Sequence, residues 1–217
     1  MIKGILLDFD GTVGNTTNLI LTSFKYATQK IMGKVFPESV YVKSFGLPLR
    51  QCMENVAEQA EQVEPLLDCY RKFNLEHHDE LIEHFPGVTE ALKELHQRGI
   101  KLAIVTSKKE PMCRRGLRCL DLEQYIDAVI GCDCITHSKP HGEPMAKGSA
   151  ALDLEPEECL CVGDSYFDLQ SGHNAGCKAC VAVSYTSLDM QKVMAEGKPD
   201  YVVDDLRELI DIINREK

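Results

Sequence analysis

The sequence predicts an α/β fold in which a parallel sheet carries an inserted, all-helical cap subdomain. Short apolar runs of strand length alternate with helical patterns from about Thr89 onward, and this alternation is typical of parallel strands joined by helical crossovers. Roughly ninety residues separate the first two strand-like runs, far more than one crossover needs. That interval shows helical periodicity and no strand pattern of comparable strength, which predicts the cap.

Six strands are predicted in the core. Each is a short apolar run bounded by polar or turn-forming residues. The runs cover residues 4–9, 101–105, 128–130, 159–162, 178–183 and 201–203. Parallel neighbours among them require right-handed crossovers.

The predicted cap covers residues 16–85, and the core covers residues 1–15 and 86–217. Two apolar faces recur at helical spacing within the cap. They consist of Leu19, Ile20, Phe24, Ala27 and Ile31, and of Val63, Leu66, Leu67, Tyr70 and Phe73. The linkers near Gly14-Asn15 and Pro86-Gly87 contain glycines that suit hinges. The alternative is a helical extension that never moves.

Composition and charge restrict the possible partners. The chain has 217 residues, 44% of them hydrophobic, and a formal net charge of -10, so no basic stripe exists to bind nucleic acid. No apolar stretch reaches the ~20 residues that span a bilayer, and the first residues lead into a strand-length run rather than a signal peptide. We therefore expect a cytoplasmic protein, monomeric or homodimeric, without nucleic-acid or membrane partners.

The ten cysteines are expected to be free thiols, because a chain of this size without a secretory signal belongs in a reducing compartment. Several lie in apolar runs, where cysteine acts as a small hydrophobic residue. The alternative is a zinc site made from Cys132, Cys134, Cys177 and Cys180. Their spacing matches neither a zinc ribbon nor a zinc finger.

Two acids at the end of the first strand form the most informative pair in the chain. Asp8 and Asp10 project to the same side of a strand, where like charges raise each other's pKa unless a proton or a cation intervenes. A divalent metal is the natural partner. Gly11 allows the backbone to approach a ligand, and Thr12 offers a hydroxyl and an amide to an anion. The alternative is an ordinary surface turn.

Three further polar segments follow or lie near short apolar runs. They are Thr106-Ser107-Lys108, Ser138-Lys139-Pro140, and Gly163-Asp164-Ser165 with Asp168 beyond. Because ligands gather at the carboxyl ends of parallel strands, all four segments are expected to converge on one crevice. Each also has an ordinary explanation as a helix cap, an acid near a helix start or a solvated lysine.

Taken together, these motifs resemble those of the haloacid dehalogenase superfamily, in its phosphatase branch with a helical cap. They read DFDGT at residues 8–12, IVTSK at 104–108, SKPHGEP at 138–144 and GDSYFD at 163–168. The chain is similar to phosphoglycolate phosphatases and small pyrophosphatases, which carry a segment like Gly46-Leu47-Pro48-Leu49. The resemblance implies a Rossmann-like parallel sheet core beneath the cap.

The resemblance also implies roles for the acids. Asp8 would be the nucleophile, and Asp10 would protonate the leaving oxygen and later deprotonate the attacking water. Mg²⁺ would be held by Asp8, the backbone carbonyl of Asp10 and Asp164. Asp168 would support these ligands without binding the metal itself.

The same resemblance assigns the phosphoryl oxygens to the Thr106 hydroxyl, the Ser107 amide and the Lys139 ammonium. In the cap, Arg50 is the candidate for binding a substrate carboxylate or a second phosphate. The chain is thus expected to be a Mg²⁺-dependent phosphatase that hydrolyses a small phosphate monoester, such as phosphoglycolate, through an aspartyl-phosphate.

Other functions stay open. An inorganic pyrophosphatase could use the same residues. A mutase similar to beta-phosphoglucomutase is less expected, because Ile20 stands where such enzymes carry an acid-assisting histidine. A non-catalytic binding protein would have no reason to keep Asp8, Asp10, Lys139 and Asp164 together.

Overall fold

The computed structural model describes residues 1–216 and contains one six-stranded parallel sheet and one two-stranded antiparallel ribbon. Residue 217, which belongs to the predicted core, lies outside the described residues. The strands are β1 Gly4–Leu7, β2 Gly14–Asn15, β3 Glu83–His84, β4 Lys101–Val105, β5 Ala128–Ile130, β6 Cys159–Gly163, β7 Ala179–Val183 and β8 Tyr201–Val203.

Ten helices surround these strands within residues 1–216. They are α1 Thr17–Met32, α2 Glu38–Val42, α3 Leu49–Val56, α4 Val63–Leu81, α5 Val88–Gln97, α6 Glu110–Cys119, α7 Glu143–Ala151, α8 Tyr166–Ala175, α9 Met190–Lys192 and α10 Leu209–Arg215. Short 3₁₀ turns lie at Ala60–Gln62, Glu123–Tyr125, Cys132–Cys134, Pro156–Glu158 and Leu206–Glu208, and one π-helical turn at Val193–Gly197. Within the described residues, no helix combines the length and apolarity that a membrane crossing requires.

The large sheet has the strand order β5-β4-β1-β6-β7-β8, which confirms the predicted α/β fold with a parallel sheet. The strand β1 lies inside the sheet, where Leu7 pairs with Ile104 on one side and Val162 on the other. It ends at Leu7, two residues earlier than predicted, although the Asp8 amide still donates to the Val162 carbonyl at 2.9 Å. The early end leaves Asp8 at the edge of the sheet.

Helices cover both faces of this sheet, because its strands are apolar on both sides. Ile5 and Leu7 point into one core with helices α5, α6 and α10, whereas Leu6 points into a second core with α7 and α8. All four residues of β1 are buried. A strand without a polar face can only lie between two helical layers.

Helices α1 to α4 enclose a third apolar core of their own, between β2 and β3 in the chain. Phe24, Tyr41, Met53, Leu66 and Leu67 are fully buried there. Residues of the two predicted helical faces form much of this cluster.

Most of the predicted face residues are buried or half-buried, but the assignment of Ile31 to the buried face is wrong. Ile31 is 36% exposed. It lies in the last turn of α1, where Gln29 and Lys30 are exposed as well. Gly33 then ends the helix in a left-handed conformation, with φ of 71°.

The two segments that join core and cap pair with each other, which was not predicted. Gly14 pairs with His84 and Asn15 with Glu83 as the antiparallel ribbon of β2 and β3. Strands of two residues carry no alternating pattern, so their pairing cannot be recognised from periodicity. β3 also lies inside residues 16–85, the interval predicted to be entirely helical.

All ten cysteines are free thiols. Five are buried, among them Cys159, Cys161 and Cys180 in strands β6 and β7. In the described part of the chain, Cys132, Cys134, Cys177 and Cys180 do not form a cluster of converging ligand atoms. The geometry therefore offers no support for the zinc alternative.

Phe9 is held between two glycines directly behind the end of β1. A Cβ added at Gly116 would lie 2.5 Å from Phe9 Cζ, and one added at Gly14 would lie 3.0 Å from the same atom. The ring is fully buried and is in close contact with both glycine positions.

We therefore expect Gly116→Ala to destabilise the protein by about 1–3 kcal/mol, the usual cost of overpacking a core. In an unobstructed helix the same change stabilises by about 0.5–1 kcal/mol, so the sign of the effect tests the contact. Urea denaturation gives the free energy of unfolding. Arg118→Ala, at a 58% exposed side chain of the same helix, is the control and should stay within about 0.5 kcal/mol of the parent. A Gly116→Ala protein as stable as the parent would contradict the contact.

Candidate active site

Three adjacent strands deliver polar side chains to the same edge of the large sheet. Asp8 follows β1, Thr106 follows β4 and Asp164 follows β6, and these strands are neighbours in the order β4-β1-β6. The crevice expected from the parallel topology is therefore present, and its residues come from distant parts of the chain.

Three carboxylates meet in this crevice. Asp8, Asp164 and Asp168 are all buried, and one carboxylate oxygen from each lies within 4.8 Å of the others. Buried like charges at this distance require a counter-charge.

Lys139 supplies part of that counter-charge. Its Nζ donates to Asp8 Oδ1 at 2.8 Å, to Asp168 Oδ1 at 2.5 Å and to the Val105 carbonyl at 2.7 Å. An ammonium group has three protons, so all are in use. The side chain is only 3% exposed, and Lys139 lies behind the cavity wall rather than on it.

Asp168 is held by the start of α8. Its Oδ2 accepts a 2.6 Å hydrogen bond from the Ser165 hydroxyl and a 3.1 Å bond from the Ser165 amide. Its other oxygen accepts from Lys139. Both oxygens are therefore committed to protein donors, and the residue orients Lys139.

Burial dominates the electrostatics of the site. It raises the pKa of Asp8 to about 7, with Lys139 acting against the shift and Asp168 and Asp10 adding to it. Burial also raises the pKa of Asp164 well above its usual value, and Asp168 and Asp8 add to that shift. For Lys139, burial lowers the pKa, but the attraction of Asp168 and Asp8 is stronger and raises it above the usual value.

The residues present fit a divalent cation. With all three carboxylates ionised, the acids and the Lys139 ammonium would carry a net charge of -2 in a buried space, which a divalent cation would neutralise. Asp8 and Asp164 offer carboxylate oxygens, the ligands that hard cations prefer, whereas both oxygens of Asp168 are bound by protein donors. The Thr186 hydroxyl donates to Asp164 Oδ2 at 2.8 Å and fixes this carboxylate.

Gly11 makes room for Asp164. A Cβ at this position would lie 2.5 Å from Asp164 Oδ2, and the backbone φ of 87° is itself unfavourable for other residues. The predicted close approach of the backbone at Gly11 is thus directed at a carboxylate of the site.

Asp10 has two partners that sequence reasoning missed. Its Oδ1 accepts from Lys108 Nζ at 2.5 Å and from the Thr16 hydroxyl at 2.6 Å. Lys108 ends the Thr-Ser-Lys segment, but nothing in the sequence separates it from a solvated lysine. Thr16 precedes α1 as an unremarkable linker residue, and only the fold brings it to Asp10.

Thr106 and Ser107 lie on the cavity wall, but Ser107 also contacts the cap. The Thr106 hydroxyl accepts from the Lys108 amide at 3.1 Å. The Ser107 hydroxyl donates to the Gly46 carbonyl at 2.9 Å, across the junction of core and cap. Ser107 therefore lines the cavity while its side chain binds the cap.

Thr12 lies elsewhere than predicted. It is fully buried and does not line the cavity. Its amide donates to the Phe9 carbonyl at 3.3 Å, its carbonyl accepts from the Tyr185 hydroxyl at 2.9 Å, and its own hydroxyl has no partner among the described residues. The tight turn after Phe9 points Thr12 into the core, away from any ligand in the cavity.

A cavity of about 490 Å³ lies over the site, between core and cap. The predicted site residues on its wall are Asp8, Asp10, Gly11, Arg50, Thr106, Ser107 and Asp164. Arg50 is 54% exposed, and its guanidinium pairs with the Glu64 carboxylate. In this structure the Arg50 side chain therefore binds a neighbouring acid and is not free for a ligand.

Comparisons with known proteins agree with this architecture. The family model for haloacid dehalogenase-like hydrolases matches residues 5–182. The pyrophosphatase PpaX of Bacillus mycoides is 39% identical over 214 residues, covering 99% of this chain and 98% of the relative. PpaX of Bacillus thuringiensis strain Al Hakam is 36% identical over 213 residues, covering 98% and 97%.

Solved structures show the same fold. The crystal structure of a predicted phosphoglycolate phosphatase from Haemophilus somnus has a TM-score of 0.89 at 22% identity, covering 98% of both chains. A haloacid dehalogenase-like hydrolase from Streptococcus pneumoniae has a TM-score of 0.85 at 21% identity and the same coverage. With the family model matched over most of its length, the chain belongs to the haloacid dehalogenase-like hydrolases.

Proposed function

We propose that the protein is a Mg²⁺-dependent phosphatase that hydrolyses a small phosphate monoester through an aspartyl-phosphate on Asp8. The observation that carries this proposal is the buried cluster of Asp8, Asp164 and Asp168 around Lys139 at the end of a ligand-sized cavity. Phosphoryl transfer needs an in-line nucleophile and stabilisation of negative charge, and this cluster offers both.

Asp8 is the proposed nucleophile. Lys139 binds its Oδ1, while no hydrogen bond from the described residues reaches Oδ2, which leaves that oxygen available for attack. Asp8, Asp164 and the backbone carbonyl of Asp10 would hold Mg²⁺, which supplies positive charge for the phosphoryl oxygens. Lys139 keeps the nucleophile in position during the transfer.

Asp10 is the proposed acid and base. It would give a proton to the leaving oxygen and later take one from the water that hydrolyses the intermediate. Lys108 and Thr16 fix Oδ1 of this carboxyl, so its orientation is set before a ligand arrives. The Thr106 hydroxyl and the Ser107 amide are the proposed phosphoryl contacts.

Phosphoglycolate is the ester suggested by sequence resemblance, and the name of the Bacillus relatives favours pyrophosphate as the alternative. A mutase is less favoured, because Ile20 lies on the cavity wall and cannot transfer a proton. We further propose a cytoplasmic protein that acts on a phosphorylated metabolite as a monomer or homodimer. The net charge of -10 supports the absence of a nucleic-acid partner.

Asp8→Asn is expected to reduce kcat/KM by at least about 10³-fold, because the amide is a poor nucleophile. The measurement is phosphate release from a panel of phosphate esters and pyrophosphate, with and without Mg²⁺. Asp68→Asn, at a side chain 81% exposed in the cap, is the matched control and should behave as the parent. The proposed function falls if the parent hydrolyses nothing in the panel, or if Asp8→Asn is as active as the parent.

Mg²⁺ affinity is expected to rise with pH, because the pKa of Asp8 is raised to about 7 in the metal-free protein. Below that pKa the protonated acid dominates, and a proton must leave before the cation binds. Between about pH 6 and about pH 8 the ionised fraction of Asp8 rises about tenfold, so the dissociation constant should fall about tenfold. Calorimetric titration with MgCl₂ across this range measures the change. A constant affinity, or one that weakens with pH, would contradict the buried carboxylate site.

A further inference from the structure

The half of the cavity facing away from Asp8 is predominantly apolar. Its walls come from α1, the start and flank of α3, α4 and the start of α6. The apolar side chains include Ile20, Phe24, Leu47, Leu49, Leu75 and Met112. In a phosphatase this half receives the part of the substrate that leaves with the ester oxygen.

The cations near this half are not placed to neutralise a charged leaving group. Lys108 is committed to Asp10 at 2.5 Å, and Arg50 pairs with Glu64. Arg71 is 54% exposed and Lys109 is exposed. A cation in water at the rim compensates little for a second negative charge that leaves water for an apolar wall.

The buried polar groups in this half are neutral. Ser44 and Asn74 are both buried, and each makes a hydrogen bond to another neutral side chain, to Asn55 at 3.0 Å and to Ser23 at 3.1 Å respectively. Tyr70 also lines the cavity, and its hydroxyl makes no hydrogen bond to a described residue. Burial raises the pKa of Tyr70 well above its usual value, with Asp10 adding to the shift, so the hydroxyl stays neutral. These groups bring no buried positive charge to offset the charge of a carboxylate or a second phosphate in this half.

We infer that the cap selects a neutral, largely apolar leaving group, so that the substrate is the phosphate monoester of an apolar alcohol or phenol. This inference rests on the proposed function and narrows its substrate class. Phosphoglycolate and pyrophosphate, whose leaving groups carry charge, are then poor substrates. A volume of about 490 Å³ leaves room beyond the phosphoryl group for a ring or a branched chain.

Binding of non-hydrolysable phosphonates tests the inference without requiring catalysis. Four probes are titrated into the protein with MgCl₂: methylphosphonate, benzylphosphonate, 3-phosphonopropionate as the phosphoglycolate analogue, and methylenediphosphonate as the pyrophosphate analogue. Benzylphosphonate is expected to bind at least about tenfold more tightly than each of the others. The inference is overturned if benzylphosphonate gains nothing over methylphosphonate, if either charged analogue binds as tightly, or if no probe binds.

A variant pair on one helix locates the effect. Ile20→Lys places a cation on the apolar wall and is expected to weaken benzylphosphonate binding about tenfold while strengthening binding of 3-phosphonopropionate. Ile31→Lys adds the same charge to α1 at an exposed position outside the cavity, and should change neither affinity. Leu49→Lys, at a half-buried wall position, replaces Ile20→Lys if circular dichroism shows that the latter is unfolded. Equal effects of the cavity and control variants would overturn the inference.

Hydrolysis separates this inference from the proposed function. Acetyl phosphate presents a minimal leaving group, so its Asp8-dependent hydrolysis reports the chemistry alone. If acetyl phosphate is hydrolysed but pyrophosphate or phosphoglycolate surpasses phenyl phosphate in kcat/KM, the apolar subsite is wrong and the phosphatase stands. If benzylphosphonate binds more tightly than the other three phosphonates but no ester is hydrolysed, the phosphatase is wrong and the apolar subsite stands.

Discussion

The Lys139 ammonium, bound by Asp8, Asp168 and the Val105 carbonyl, is the interaction on which the site depends. Without it, buried carboxylates would crowd the edge of the sheet with no positive charge among them. Removing one partner of a buried ion pair typically costs about 3–5 kcal/mol, because the remaining charge is left without compensation. The same contact joins the strands β1 and β4 to α8, so it holds together the fold and the chemistry at once.

The remaining charge of this cluster explains why a metal suits it. Lys139 offsets one of the three acids, and the rest are offset either by bound protons, as the raised pKa values of Asp8 and Asp164 indicate, or by a divalent cation. By contrast, Asp10 already has its cation in Lys108. Two neighbouring acids from one pentapeptide therefore occupy different electrostatic environments, which is the usual basis for giving two carboxylates two different roles.

Periodicity and motif order predict the sheet and the crevice, because a parallel strand exposes its carboxyl end at a known edge. Asp8, Thr106 and Asp164 could be placed for that reason. The ribbon of β2 and β3, the partners of Asp10 and the buried orientation of Thr12 could not. Each depends on how distant segments approach one another, and a two-residue strand or a single threonine leaves no periodic trace. The exposed end of α1 at Ile31 shows the same limit, since helical spacing says nothing about where the neighbouring helix stops.

Pairing between β2 and β3 has a mechanical consequence. Core and cap are joined by two crossings of the chain, and the hydrogen-bonded pairs Gly14–His84 and Asn15–Glu83 tie those crossings side by side. Two unpaired linkers would allow the cap to translate and rotate relative to the core, whereas two hydrogen-bonded linkers act as a single hinge, the pivot of any cap movement. Any swing of the cap about it would have to break the hydrogen bond from the Ser107 hydroxyl to the Gly46 carbonyl and the bonds from Arg115 to Leu75 and Asp79.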